Sequence, residues 1–536
     1  MSHCSTNHVR SFCQLPRLYL EYGCWRTGIH LFGRHLYAIK NTISAGLLKL
    51  HKLKLFLFKS TLIFRLKLTF TDFQGPKESD YFTVSKLIPF KTLLYSLMRP
   101  VLVLFVFFIT LGLQAQGSLS GNFAPPKDFK WLIIYELTPG GEQYSADTAI
   151  EDGFFTLKMP ATAKPGMYRL VYAVPQDEYY IDIIYNTKEN IKFNFDLEEG
   201  LNITYSEENK WFNEYFTKID AAQDKLMEFY EAGGGAGQKY QTLLNELKKV
   251  QDYYENNKVG TIANKFITAN RSYLPKTFEP LAEFLKHKKQ HHFDYLDLNS
   301  SILQGSNFLT DKISKYVFAA IPAGIKSEEE LEVEVNKNVK KVAEIIKGTP
   351  QGFQVKVFHQ LWKIAEVNTM AKAADYIFDD HLKQIALATG NQELVDTIET
   401  EARLRIGAMA PEITWNSKGK KMALSTIGTA ENYLLIFWSS TCSHCLNELP
   451  ALHKELSRYD NLKVIAVGLE GEELNWKKVA ATLPSFNHAI ALGKWESDYA
   501  HTFNIQKTPT YFILDNKKRF LAKPESAKEV IEFLED

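Results

Sequence analysis

The apolar run Leu434-Leu435-Ile436-Phe437 leads through Trp438-Ser439-Ser440-Thr441 into Cys442-Ser443-His444-Cys445, and beyond it Leu446, Leu449, His453 and Leu456 keep helical spacing. A strand buried on both faces, a short loop and a helix in that order restrict this part of the chain to an α/β unit. The order also puts Cys442 at a helix N-terminus. There the unpaired backbone N–H groups and the positive end of the helix dipole favour a thiolate over a thiol. The thiolate is the attacking species in disulfide exchange, so a cysteine in this place is poised for chemistry.

A bare Cys-x-x-Cys is also half of a zinc site, and context separates the two readings. A structural zinc needs four ligands, usually with a second Cys or His pair nearby. No cysteine follows Cys445, and His453, His488 and His501 show no paired spacing, so no metal is expected. No Ser-His-Asp constellation, phosphate loop or dinucleotide fingerprint competes with the thiol pair. A peroxiredoxin relies on one peroxidatic cysteine, and the close pair argues against that reading.

Further features join the pair. Ala410-Pro411-Glu412 precedes the strand, Pro450 lies five residues past Cys445, and Thr508-Pro509-Thr510 opens the apolar run from Tyr511 to Leu514. On these residues the stretch 407–536 resembles a thioredoxin-fold domain of the TlpA/ResA type, the periplasmic thiol–disulfide oxidoreductases. The resemblance implies that Cys442 is the exposed nucleophile, that Cys445 is the buried resolving thiol, and that Trp438, Ser443 and His444 form the active-site loop. It further implies a cis Thr508-Pro509 bond facing the cysteines, with Thr508 offering backbone groups to substrate and Pro509 keeping the pair free of metal. Glu448 matches the acidic residue that the group places beneath the pair, where a carboxyl in an apolar site carries the resolving thiol's proton. The plainer alternative is a surface glutamate in the second helical turn.

Two departures matter. Ile436 stands where thioredoxin has a buried Asp, which leaves Glu448 as the internal proton carrier, and Ser443-His444 replaces Gly-Pro between the cysteines. His444 is either a positive partner for the Cys442 thiolate or a solvent-exposed polar filler. The direction of electron flow stays open.

Met98-Arg99-Pro100, the apolar run Val101 to Leu113 and Gln114-Ala115-Gln116-Gly117 have the form of a secretory signal, 98–115, with a cut after Ala115. Residues 1–97 hold 14 Lys/Arg against 4 Asp/Glu, a charge of +10, whereas the remainder holds 49 against 58, a charge of −9. They are read as an extension from a mis-assigned start codon, with a basic arm binding membrane or nucleic acid as the rival. Cleavage after Ala115 leaves only Cys442 and Cys445. An exported chain with one close pair is not using disulfides as staples, which favours a catalytic pair.

The fold class expected is multidomain α+β: an antiparallel β-sandwich over 116–205, an α-helical region over 206–406, and the C-terminal thioredoxin-like α/β domain over 407–536. Strand-like runs at Trp131–Leu137, Phe154–Met159, Tyr168–Val174, Tyr179–Tyr185 and Asn190–Asp196 are separated by turns such as Asp152-Gly153. The pattern resembles the N-terminal β-domain that often precedes thioredoxin modules in exported Bacteroidetes proteins. From the capping residue Ser206 the period becomes helical, with helices expected at Trp211–Tyr230, Lys239–Glu255, Phe278–Lys289, Glu328–Ile346, Phe353–Val367 and Gln392–Ile406. His287, His291 and His292 read as a solvated polar face rather than metal ligands.

The functional expectation is an exported thiol–disulfide oxidoreductase, periplasmic or otherwise extracytoplasmic, with no cofactor beyond a redox-active Cys442–Cys445 disulfide. Its partners are protein thiols and disulfides and an upstream redox protein, with no nucleic acid and no stable membrane span after signal cleavage. The alternative is a non-enzymatic binding protein whose thioredoxin module is structural.

Overall fold

The computed structural model describes residues 117–321, 324–417 and 419–535; the extension 1–97 and the signal 98–115 lie outside them. The chain divides into two compact units. One runs to Leu281 and takes in Phe293–Leu296; the other holds the turn Pro139–Gly141, Ala282–His292 and everything from Asp297 on. Among the described residues no helix is long and apolar enough to cross a membrane.

Eight strands open the first unit: β1 (Ser118–Ala124), β2 (Trp131–Thr138), β3 (Gly141–Ala149), β4 (Phe154–Lys158), β5 (Gly166–Val171), β6 (Tyr180–Tyr185), β7 (Ile191–Asp196) and β8 (Gly200–Tyr205). They form two four-stranded sheets, ordered β4-β1-β7-β8 and β3-β2-β5-β6. Residues from both sheets fill one core, among them Phe123, Leu132, Ile134, Leu170, Ile183, Phe193 and Phe195. That is the sandwich arrangement. The β1–β7 pair runs parallel, as strands so far apart in sequence can. Phe123 packs its ring 4.9–5.9 Å from those of Phe129, Phe155, Phe193 and Phe195. The packing needs Gly121, since a Cβ there would lie 2.7 Å from the Phe155 ring.

Three strands carry too weak a pattern to be read from the sequence. β3 buries none of its residues and β8 only Ile203, because each lies at a sheet edge. β1 has only Leu119 and Phe123 turned fully inward. The polar exception in the sandwich is Arg169 on β5, 6% exposed, which bonds both carboxyl oxygens of Asp182 at 2.9 Å and Glu142 at 2.8 Å. The helix Glu207–Glu231 starts where expected, with Ser206 Oγ accepting from Asn209 N–H. Asn209 then exchanges two 2.8 Å hydrogen bonds with the backbone of Ile184 and so satisfies the open edge of β6.

The second unit begins with helices. Glu328–Ile346, Gln351–Val367 and Gln392–Leu404 sit where the helical period places them. Asn307–Phe318 and Ala371–Ile377 escape that reading, as does Ile262–Ala269 in the first unit. They run only 12, 7 and 8 residues, too few turns for the period to stand out. Arg405, just past the last of the helices, bonds Glu366 and Asp375 and fastens the start of the C-terminal domain to the helical layer.

A hairpin of β9 (Thr414–Ser417) and β10 (Lys420–Ala423) leads into a five-stranded sheet ordered β13-β12-β11-β14-β15. Its strands are β11 (Asn432–Trp438), β12 (Leu462–Glu470), β13 (Asn487–Leu492), β14 (Thr510–Leu514) and β15 (Phe520–Ala522). The first three run parallel, and β14 and β15 are antiparallel. β11 is central and buried on both faces. Tyr433, Leu435 and Phe437 enter one core with Phe503, Ile505 and Phe512; Leu434, Ile436 and Trp438 enter the other with Leu449, Leu452 and Val530. Three helices, Ser443–Leu456, Glu473–Ala480 and Ala527–Glu535, cover the second face. Replacing Leu434 or Leu435 by Ala should each cost about 2–5 kcal/mol, because neither core can close around the space left. The loss will show as faster native-state hydrogen exchange across the β11 amides.

Candidate functional site

The site lies where β11 ends. Trp438 is fully buried, Ser439 and Ser440 are buried behind it, and Thr441 is exposed. The chain then turns into the Ser443–Leu456 helix with Cys442 as its N-cap residue. The Cys442 sulfur accepts the Cys445 N–H at 3.3 Å, taking the place of the Ser, Thr, Asp or Asn oxygen that usually does this work. Burial opposes ionisation of Cys442. The hydrogen bonds from the Cys445 and Thr508 side chains and from the backbone N–H groups of Cys445 and His444 outweigh it and bring the thiol below its ordinary value.

Cys445 lies one helical turn deeper and is completely buried. Burial, reinforced by the hydrogen bond and charge of Cys442, pushes its thiol up to about 12. Both cysteines are free thiols. One sulfur is therefore reachable and inclined to ionise while the other is sealed and protonated.

The Thr508-Pro509 bond is cis. The segment packs against the reactive sulfur, with the Thr508 carbonyl accepting from Cys442 Sγ at 3.3 Å. Ser443 and His444 are both exposed on the first helical turn. What reaches the Cys442 sulfur from His444 is its backbone N–H.

Glu448 is half-buried, one turn past Cys445, and Pro450 lies within the same helix. The Glu448 carboxyl accepts the Ala527 N–H at 2.6 Å and so caps the Ala527–Glu535 helix. Its other neighbour is Tyr511. Burial first, then the nearby charges of Glu448 and of both cysteines, hold the Tyr511 hydroxyl strongly protonated.

Two residues escaped sequence reasoning. Tyr511 reads as ordinary strand core, yet it is the cross-strand partner of Ile436, so its hydroxyl shares a sheet face with the position where an internal acid was missing. Glu470 closes β12 at 2% exposure and accepts hydrogen bonds from the N–H and, at 3.0 Å, the hydroxyl of Ser440. A charged residue ending the apolar run Val464–Leu469 was the available signal. Of His287, His291 and His292, the last bonds the Lys312 carbonyl at 2.8 Å, and burial lowers its pKa to about 3. Among the described residues no group of three or more His, Cys, Asp or Glu is arranged to hold a metal.

The sheet order, the cis segment and the strand-loop-helix thiol pair invite comparison with known proteins. Residues 431–520 match the family model described as thioredoxin-like. This part of the chain is a thioredoxin-like domain. The thioredoxin-like protein YneN of Bacillus subtilis is 29% identical over 119 residues, which span 22% of this chain and 69% of that protein. Among solved structures, the thioredoxin domain of a thiol-disulfide oxidoreductase from Bacteroides vulgatus aligns at 25% identity and a TM-score of 0.22, over 24% of this chain and 95% of that one. A thiol:disulfide interchange protein from Bacteroides sp. aligns at 23% identity and a TM-score of 0.22, over 25% and 89%.

Within the thioredoxin-like domain the two thiols should separate cleanly in alkylation. A thiol reacts only as thiolate, so the lower pKa of Cys442 lets it react at lower pH, whereas Cys445 stays protonated until about pH 12. Iodoacetamide at pH 8 will label Cys442 at least ~100-fold faster than Cys445, measured by peptide mass spectrometry of the reduced protein.

Proposed function

We propose that this chain is an exported thiol–disulfide oxidoreductase that exchanges disulfides with protein substrates through Cys442 and Cys445. One observation carries the reading: a reachable, acidified sulfur at a helix mouth with a buried, protonated partner one turn below it. The Cys442 thiolate attacks one sulfur of a client disulfide. A mixed disulfide forms and the client's other sulfur leaves as thiolate. Cys445 then gives up its proton and attacks the Cys442 sulfur. The Cys442–Cys445 disulfide closes, the second client thiolate leaves, and two electrons have passed from the pair to the client. Run in reverse, the same steps oxidise a client dithiol.

Glu448 has the position for the proton that Cys445 must lose, one helical turn beyond that thiol and beside the Tyr511 hydroxyl. Thr508 supports the first step, since the carbonyl that accepts from Cys442 lies beside the reactive sulfur, where a substrate backbone can meet it. The signal pattern at 98–115 supports an extracytoplasmic location, where an upstream redox protein would reset the pair. The thioredoxin-like family match over 431–520 supports this chemistry.

Insulin-disulfide reduction with dithiothreitol as electron donor tests the reading. The purified protein will accelerate it, Cys442→Ser will abolish the effect, and Cys445→Ser will accumulate a mixed disulfide visible on a non-reducing gel. Activity that survives Cys442→Ser removes that residue from its role, and inactivity across several disulfide and dithiol substrates favours a binding protein. Glu448→Gln should leave the first attack intact and slow the release of mixed disulfide by roughly 10- to 100-fold, read by stopped-flow fluorescence.

A further inference from the structure

The thiol chemistry uses neither Glu470 nor the buried loop it touches, yet a carboxyl group at 2% exposure is costly to keep in a protein core. The strand register explains where it points. Trp438 pairs with Gly468 across the parallel β11–β12 ladder, so two residues further along each chain Ser440 lies opposite Glu470. One carboxyl oxygen accepts the Ser440 N–H and the other accepts the Ser440 hydroxyl at 3.0 Å. Asn475 closes the third side, its amide donating to the Ser440 hydroxyl at 3.2 Å and to the Ser440 carbonyl at 3.4 Å. Asn475 is held there by its neighbour Trp476, which packs so tightly over Gly468 that a Cβ on that glycine would fall 2.4 Å from the indole.

The clamped peptide is the one that reaches the cysteines. The unit joining Ser439 to Ser440 offers its N–H to Glu470 and, at its other end, the Ser439 carbonyl accepts the Cys442 N–H at 3.1 Å. Acceptor, peptide and Cys442 amide thus form one continuous hydrogen-bonded chain, each bond polarising the next. The Ser439 N–H faces the Cys445 sulfur. A change in the tilt of this peptide plane moves the Ser439 carbonyl that holds the Cys442 amide.

We propose that Glu470 is a positioning residue that locks the Ser439–Ser440 peptide and so holds the Cys442 sulfur in line with the N–H groups of the helix mouth. This rests on the oxidoreductase reading for its purpose but not for its geometry. The donors that favour a thiolate act only over hydrogen-bond distances, so a loop free to rock would present them to Cys442 part of the time.

The pH profile of iodoacetamide alkylation at Cys442 in the reduced full-length protein tests it. That assay needs no disulfide substrate, so its failure is distinguishable from failure in insulin reduction. Glu470→Ala should move the profile to higher pH and slow labelling at pH 7 about three- to tenfold. Glu470→Gln keeps one acceptor for the Ser440 N–H and an amide for the hydroxyl, and should label within about twofold of the parent protein. Unfolding midpoints of each variant report whether the fold is intact. A folded Glu470→Ala protein with an unmoved profile overturns the proposal, as does a Glu470→Gln protein as impaired as the alanine variant. Should Glu470→Ala not fold, the Ser440→Ala/Asn475→Ala double variant decides: a profile moved in the same direction supports the clamp, and an unmoved one overturns it.

Discussion

A helix start leaves backbone N–H groups without partners, and in this protein a sulfur atom satisfies one of them. The contact between Cys442 Sγ and the Cys445 N–H makes two chemically identical side chains unequal. Together with the hydrogen bonds from the Cys445 and Thr508 side chains and the His444 N–H, it overcomes the burial that acts on both thiols in the same direction. The rest of the C-terminal domain keeps that contact in place: β11 delivers the loop from the centre of a sheet packed on both faces, and Leu449, Leu452 and Leu456 anchor the helix against one of those faces. Residues far from the sulfur therefore decide its reactivity by fixing one angle of approach.

The opposite side of the pair is organised by shared partners. Glu448 holds the first turn of the Ala527–Glu535 helix through the Ala527 N–H and at the same time faces Tyr511, whose ring belongs to the core that contains Cys445. The carboxyl proposed to carry the proton is thus also part of the packing. Where thioredoxin keeps an acid on the central strand, this chain keeps Ile436 and places its polar groups on the neighbouring strand and on the covering helix.

The thiol pair was legible in the sequence because its signal is local: a continuous apolar run, two cysteines at fixed spacing and a helical repeat. The helices Glu328–Ile346 and Gln351–Val367 were legible for a similar reason, since each shows one apolar stripe over several turns. β3 was not, because an edge strand with no buried side chain has no alternation to read. Tyr511 and Glu470 were hidden differently. Their roles arise from register across two strand pairs, Ile436 with Tyr511 and Trp438 with Gly468, and register is set by folding rather than by neighbours in the chain. Arg169 belongs with them, a buried cation made tolerable by carboxylates 13 and 27 residues away.

Cys442 serves two offices, and they compete. While its sulfur is free it finishes the end of a helix; once joined to Cys445 it has lower electron density to offer that amide. In the proposed exchange, closing the pair would leave the Ser443–Leu456 segment less well terminated, and reopening it would restore the cap. If the pair works as proposed, the ease with which this domain would surrender a disulfide is tied to how firmly a single turn of helix is wound.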